Sequence, residues 1–165
     1  MKRFLCFCLM GALLSPGFGM GIALSENAVR TESDVIAHVI ITATAPVESA
    51  PETKSDPSTD RFERVATARV ITAVKGCKAG DSLSLLFDNG FGCPNVIYAE
   101  KEECLVFLKK DTAGVYRTMN LYCGRFSVND GQVADFYLMG PVEKTPASTP
   151  LKTVIDWLLT PPVKP

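Results

Sequence analysis

Histidine and tryptophan are nearly absent from this sequence, with one residue of each among 165. Histidine is the most common metal ligand and general base in proteins, so a single His38 argues against histidine-based catalysis and metal chemistry. An excess of one charge is also lacking, because the sequence has 17 basic and 18 acidic residues and a net charge of −1. A chain this close to neutral does not bind nucleic acid or anionic lipid by bulk electrostatics. We therefore expect a protein that is not an enzyme, with no catalytic residues, no metal and no cofactor.

Residues 1–25 have the features of an export signal. Two basic residues precede an apolar run at 4–14, and the small residues Ala23 and Ser25 stand three and one positions before a cut at Glu26. The run is too short for the roughly 20 residues of a membrane helix, although a retained membrane anchor is the alternative. Cleavage would leave 140 residues with a net charge of −3, a single-domain length without a membrane span. We expect an exported protein, periplasmic or secreted.

Four cysteines remain outside the signal: Cys77, Cys93, Cys104 and Cys123. An even number in an exported domain predicts two disulfides, for which three connectivities are possible. The spacings of 16, 11 and 19 residues lack the closely paired cysteines of a zinc site. We expect the disulfides to stabilise the domain, mostly by restricting the unfolded chain.

Most of residues 26–140 has the pattern of short β-strands. Runs of β-branched and alternating residues predict strands at 33–44, 62–74, 82–87, 96–98, 104–109, 115–122, 125–128 and 132–138. Two glycines in the turn at 75–81 suit positive φ, and Gly131 is placed for a bulge in the last hairpin.

Two segments break this pattern. Residues 46–60 mix Pro46, Pro51 and Pro57 with acidic and hydroxyl side chains, which predicts an exposed, mobile loop. Residues 141–165 begin as a polar linker and continue into a helix.

The predicted helix covers residues 151–159, with Thr149 as its N-cap and Pro150 at its first position. Its apolar side chains recur every three or four residues, so they form one stripe that is expected to dock on the β domain.

Several local features occur together between residues 33 and 126: Asp34 leading the first strand, the Lys75-Gly76 turn, the Gly80-Asp81 step into the third strand, the LVFL strand at 105–108, and the Cys123-Gly124-Arg125 ending. In these features the chain resembles the netrin-like domain family, which includes the tissue inhibitors of metalloproteinases and small bacterial exported proteins. The resemblance implies a small OB-like Greek-key barrel of about five core strands, with an extra hairpin and one C-terminal helix, used as a binding or inhibitory module.

The same resemblance bears on the disulfides. It favours Cys93–Cys123, which leaves Cys77–Cys104. An OB-type strand order complicates the second pair, because it puts the turn that carries Cys77 at the opposite end of the barrel. A competing arrangement, Cys77–Cys93 with Cys104–Cys123, follows from the near-register of the hairpin at 104–123 and stays open.

One departure from the family limits what can be carried over. Metalloproteinase inhibition in that family relies on a cysteine at the mature N-terminus, whose backbone groups coordinate the zinc of the protease. Residues 26–30 contain no cysteine, so this mechanism does not transfer.

Individual polar residues have structural interpretations. His38 stands between apolar neighbours in a strand, which predicts a buried or sheet-face histidine. Residues 100–103 predict a solvated turn that enters a strand. Neither pattern is typical of a catalytic site.

The remaining candidates for binding are two loops. The first carries Pro46, Pro51 and Pro57, and the second, at 90–95, carries Phe91 and Asn95. A disordered insertion is the alternative for the first loop, and a cap on the barrel end is the alternative for Phe91. We expect a non-catalytic, disulfide-stabilised module that contacts an unidentified protein in the envelope or extracellular space; the alternatives are a protease or hydrolase inhibitor without the N-terminal cysteine and an envelope structural or assembly component.

Overall fold

A computed structural model of the chain describes residues 30–47, 64–87, 96–111, 114–119, 124–134 and 148–161. The predicted export signal lies outside these residues, as do Pro51, Pro57, Phe91, Cys93, Asn95 and Cys123. Within the described residues, the strands are β1 (Val35–Pro46), β2 (Arg64–Lys75), β3 (Ser82–Phe87), β4 (Glu103–Lys110), β5 (Tyr116–Thr118), β6 (Arg125–Asn129), β7 (Gln132–Ala134) and β8 (Ser148–Pro150), followed by the helix α1 (Leu151–Leu159). In this part of the chain, no helix has the length and apolar character needed to cross a membrane.

The first five strands close into a barrel in the order β1-β2-β3-β5-β4, and β4 pairs back onto β1. Neighbouring strands are antiparallel except β3 and β5, which are parallel. This is the arrangement of a small OB-like barrel, so the predicted fold class is confirmed. β6, β7 and β8 continue from β4 outside the barrel.

Alternation along the strands fills the barrel interior. On β1 the side chains of Val35, Ala37, Val39 and Ile41 point inward and are at most 2% exposed. β2, β3 and β4 contribute alternate residues to the same core, as the period of two requires. Because the predicted strands at 33–44, 62–74 and 82–87 lie within two residues of β1, β2 and β3, this local pattern was sufficient to find them.

β4 is buried on both faces, because a second core covers its outer side. There Phe107 packs edge-on against Phe126 of β6, with ring centroids 5.9 Å apart. The predicted stripe of α1 docks on this core through Val154 and Leu158. Burial of an aliphatic side chain stabilises by about 2 kcal/mol, so this contact anchors the helix.

The start of α1 differs from its prediction. Thr149 belongs to β8, where it is opposite Val133, and Pro150 takes the N-cap position without a side-chain hydrogen bond. Residues 148–150 can pair with β7 because their backbone is extended, and the residue before a proline prefers that conformation. Thr149 is therefore a strand residue and not a cap.

Arg30 holds the other end of α1. Its guanidinium donates to the carbonyl oxygens of Trp157 at 2.6 Å and Thr160 at 2.7 Å, and it stacks 3.8 Å from the centre of the Trp157 ring. The last carbonyls of a helix have no partner within the helix and carry the negative end of its dipole, so a cation is favourable there.

Three turns and connections refine the sequence-based expectations. Gly76 and Gly80 have φ of 71° and 90°, as predicted for the turn between β2 and β3. In the β6–β7 hairpin, Asn129 is opposite Gln132, so the loop has two residues, Asp130 and Gly131, both with positive φ. That is the type I′ geometry and not the predicted glycine bulge. Residues 96–98 form no strand.

The cysteines also differ from their predicted arrangement, because Cys77 and Cys104 are both free thiols. Cys104 is opposite Val39 of β1, whereas Cys77 follows Gly76, which touches Asp34 at the other end of the barrel. Along β1, about five residues separate Val39 from Asp34, so Cys104 and Cys77 lie about 15 Å apart along the barrel. A disulfide needs Cα atoms within about 7 Å. The pairs Cys77–Cys104, Cys77–Cys93 and Cys104–Cys123 are thus not formed, and Cys93–Cys123 stays a prediction.

Cys104 is expected to resist alkylation in the folded protein. It is fully buried, and burial with the nearby charge of Glu103 raises the pKa of its thiol to about 12. Because the thiolate is the reactive species, iodoacetamide at pH 8 should modify Cys104 only after unfolding in urea, as read by peptide mass mapping. Modification of Cys104 in the native protein as fast as in urea, or a disulfide at Cys104 in a non-reducing map, would contradict this packing.

Candidate protein-binding rim

One end of the barrel carries the described residues that flank the two loops predicted to bind. Pro46 is opposite Arg64, and Arg64 is opposite Phe87. These residues lie on three adjacent strands, so about 10 Å separates Pro46 from Phe87. The segments that carry the predicted loop residues therefore start and finish at the same end, which we call the loop rim: the ends of β1 and β3, the starts of β2 and β4, residues 96–102, and Arg125 and Ser127 of β6.

Pro46 itself belongs to β1 and not to the loop in which the sequence placed it. A proline lacks a backbone N–H and is tolerated at the end of a strand or on an edge. A bulge at Thr42 precedes it, between the pairs Ile41–Ala68 and Ala43–Thr67. Both features discourage another strand from pairing with this edge of β1.

Residues 96–98 line the rim with the alternating burial of a strand, but they form no strand pairing with the described part of the chain. Val96 and Tyr98 are buried, whereas Ile97 is 55% exposed. The Tyr98 hydroxyl lies 2.7 Å from the Thr118 hydroxyl, and its ring packs edge-on against Phe87. Burial raises the pKa of Tyr98 well above its usual range, so its hydroxyl is neutral. Tyr98 thus anchors the segment and leaves Ile97 facing solvent.

The next four residues form a tight turn tied to β1. The Lys101 amide donates to the Ile41 carbonyl at 2.8 Å, and a Glu100 carboxylate oxygen accepts from the Thr44 amide at 3.2 Å. Lys101 has φ of 68°, a left-handed conformation that costs a residue with a side chain about 1–2 kcal/mol. The contact with Ile41 holds the turn in this strained form.

An ion pair connects the turn to β6. The carboxylate of Glu102 accepts from the Arg125 guanidinium and, at 3.1 Å, from the Ser127 hydroxyl. The Arg125 and Glu102 side chains are 21% and 22% exposed, so the pair is largely shielded from water. This burial lowers the pKa of Arg125, although its guanidinium stays charged at neutral pH. Arg125 Nε is buried and has no hydrogen-bond partner among the described residues.

These side chains surround an open groove of about 570 Å³, lined by Ile97, Ala99, Glu100, Lys101, Glu102 and Arg125. Ile97 supplies an apolar wall, and charged groups of both signs supply the remainder. Chemically, such a groove can accept a projecting side chain or a short segment of another protein.

His38 lies apart from this groove. It is buried at 5% exposure, as the sequence predicted, and its Nε2 is 3.0 Å from a carboxylate oxygen of Glu103. Within the described ranges, no cluster of three or more potential metal-ligating side chains occurs.

No family model, curated protein or solved structure matches this chain. The netrin-like resemblance therefore stays a prediction, and the OB-like architecture rests on the strand order of the structure itself.

The structure places the predicted loop residues only in part. Pro46 lies at the rim, while Pro51, Pro57, Phe91 and Asn95 lie outside the described residues. The sequence interpretation missed Ile97, Lys101 and Arg125, and it assigned 100–103 to solvent although Glu102 is largely buried in an ion pair. Isolated apolar and charged residues carry no local signal of this kind, because their partners come from other strands.

Proposed function

We propose that this protein is an exported, non-catalytic module that binds another protein through the loop rim. The observation that carries the proposal is convergence: the flanks of both predicted loops, an exposed isoleucine and a groove with a shielded arginine all occur at one end of the barrel. Arginine in a desolvated position is one of the residue types that dominate protein-binding energy.

The arrangement of the rim favours recognition over catalysis. The carboxylates of Glu100 and Glu102 are engaged by backbone amides, a hydroxyl and a guanidinium, which fixes their positions. A general acid or base needs access to a proton on a substrate, whereas a binding surface benefits from groups that are already held in place.

Photocrosslinking from the rim tests this proposal. Replacing Ile97 with the photoreactive residue p-benzoylphenylalanine, in the full chain in the cell that makes it, should give a discrete protein adduct on irradiation. The matched control is the same replacement at Ile71, which is 40% exposed but lies toward the other end of β2.

An adduct from position 97 that is absent from position 71 supports the proposal, and mass spectrometry then identifies the partner. If the partner is a protease, the inhibitory alternative is favoured. No adduct from position 97, or the same adducts from both positions, counts against binding at the rim.

A further inference from the structure

We infer that the rim groove takes an acidic segment of its partner, in which a carboxylate lies next to an apolar side chain. This inference rests on the proposed function and adds the chemistry of the bound segment. Its basis is the difference between the charged side chains of the groove that already have partners within the described ranges of the protein and the one that does not.

The acidic groups of the groove already accept hydrogen bonds from the protein, Glu102 through both oxygens and Glu100 through one. Glu102 Oε1 accepts from Arg125 and Ser127, and its Oε2 accepts from the Ala99 amide at 3.3 Å. The carboxylate of Glu100 caps the Thr44 amide. A basic partner would have to compete with these internal donors at both oxygens of Glu102 and at one oxygen of Glu100.

The positive groups are not fully occupied. Lys101 is exposed and forms no ion pair within the described part of the chain. Arg125 is neutralised by Glu102, but one of its donors, Nε, is unused in that same part. Because that Nε is buried, the group left for a ligand is the free ammonium of Lys101, which favours a carboxylate.

The backbone conformation of Lys101 also indicates a functional role for its side chain. Its φ of 68° is one that glycine adopts without strain, and its amide already serves the turn through Ile41. Its side chain forms no hydrogen bond or ion pair with the described residues that would explain a lysine in place of a glycine. A strained position at a surface groove is where a functional side chain is expected.

Ile97 supplies the apolar half of the site. At 55% exposure it is one of the most exposed large apolar side chains of the described residues, and it lines the same groove as Lys101. An acidic residue paired with Lys101 would bring a neighbouring apolar side chain of the partner against Ile97.

Peptide display tests the inference without a known partner. A library of random dodecapeptides is selected on the full-length wild-type protein, and the enriched peptides are then measured against three variants. Lys101→Glu reverses the charge, and Lys101→Gly removes the side chain while suiting the backbone. Lys78→Glu is the matched control, because Lys78 is an exposed lysine in the turn at the other end of the barrel.

Enriched peptides should carry an aspartate or glutamate beside an apolar residue. They should bind at least tenfold more weakly to Lys101→Glu and Lys101→Gly, and equally well to Lys78→Glu. The thermal midpoint of Lys101→Gly should equal or exceed that of the wild type, which excludes unfolding as the cause of lost binding.

Neutral or basic enriched peptides, affinities indifferent to Lys101, or no enrichment above background would overturn the inference. Its failure differs from failure of the proposed function. An adduct from position 97 with no acidic preference leaves the binding function intact, whereas acidic peptides without any adduct leave the charge preference but remove the protein partner.

Discussion

Replacing Gly76 with alanine is expected to lower the free energy of unfolding by about 3 kcal/mol, the largest effect that we expect from a single methyl group. An alanine Cβ at this position would lie 1.9 Å from the backbone oxygen of Asp34, and the φ of 71° is itself unfavourable for alanine. Asp34 has little freedom to move away, because its amide donates to the Leu108 carbonyl at 2.8 Å and its carboxylate accepts from the backbone amide of Lys110 at 2.8 Å.

Gly80→Ala is the matched control for this prediction. Gly80 lies in the same turn with φ of 90°, but a Cβ there would have no neighbour within 4 Å. Its replacement should cost only the backbone strain, about 1 kcal/mol. Urea unfolding of both variants measures the difference, and equal midpoints would show that the close approach of β1 to this turn is wrong.

Replacing Glu102 with alanine is expected to destabilise the protein by about 2–3 kcal/mol. The change leaves the largely shielded charge of Arg125 without its counterion and the Ser127 hydroxyl without its acceptor. It also removes the acceptor that holds the Ala99 amide, so the turn at the rim should loosen and peptide binding at the groove should weaken.

The ion pair between Lys152 and Asp156 provides the comparison. It is a one-turn helix pair at 2.5 Å, but its side chains are 85% and 59% exposed. Asp156→Ala should therefore change stability by no more than about 0.5 kcal/mol. If Glu102→Ala lowers stability as little as Asp156→Ala does, the ion pair between Glu102 and Arg125 contributes nothing of note to the fold.

The strands of the barrel could be predicted because their signal is local. Alternation along β1, β2 and β3 sets which face each side chain occupies, and Gly76 and Gly80 mark the turn between two of them. The three-residue strand β8 could not be found this way, since it is defined by its pairing with β7. Residues 96–98 show the opposite case, in which the alternation reflects burial against β3 and β5 although these residues form no strand.

The rim was predictable only as a pair of loops. Which strand ends meet there depends on the register of β1 with β2 and of β2 with β3. The Glu102–Arg125 pair joins residues 23 positions apart, and the strain at Lys101 follows from a contact with Ile41. Such features arise from tertiary pairing, so no window of sequence contains them. The same pairing separates Cys77 from Cys104.

Competition for the crosslink from position 97 shows whether the protein binds its partner through the loop rim. The photoreactive protein is irradiated with its partner while an excess of unlabelled wild type, Ile97→Glu or Ile71→Glu is present. Both substitutions put the same charge on an exposed isoleucine, but only Ile97 lies at the rim. Binding through the rim predicts that wild type and Ile71→Glu suppress the adduct equally and that Ile97→Glu does not. Suppression by Ile97→Glu as strong as that by wild type would contradict it.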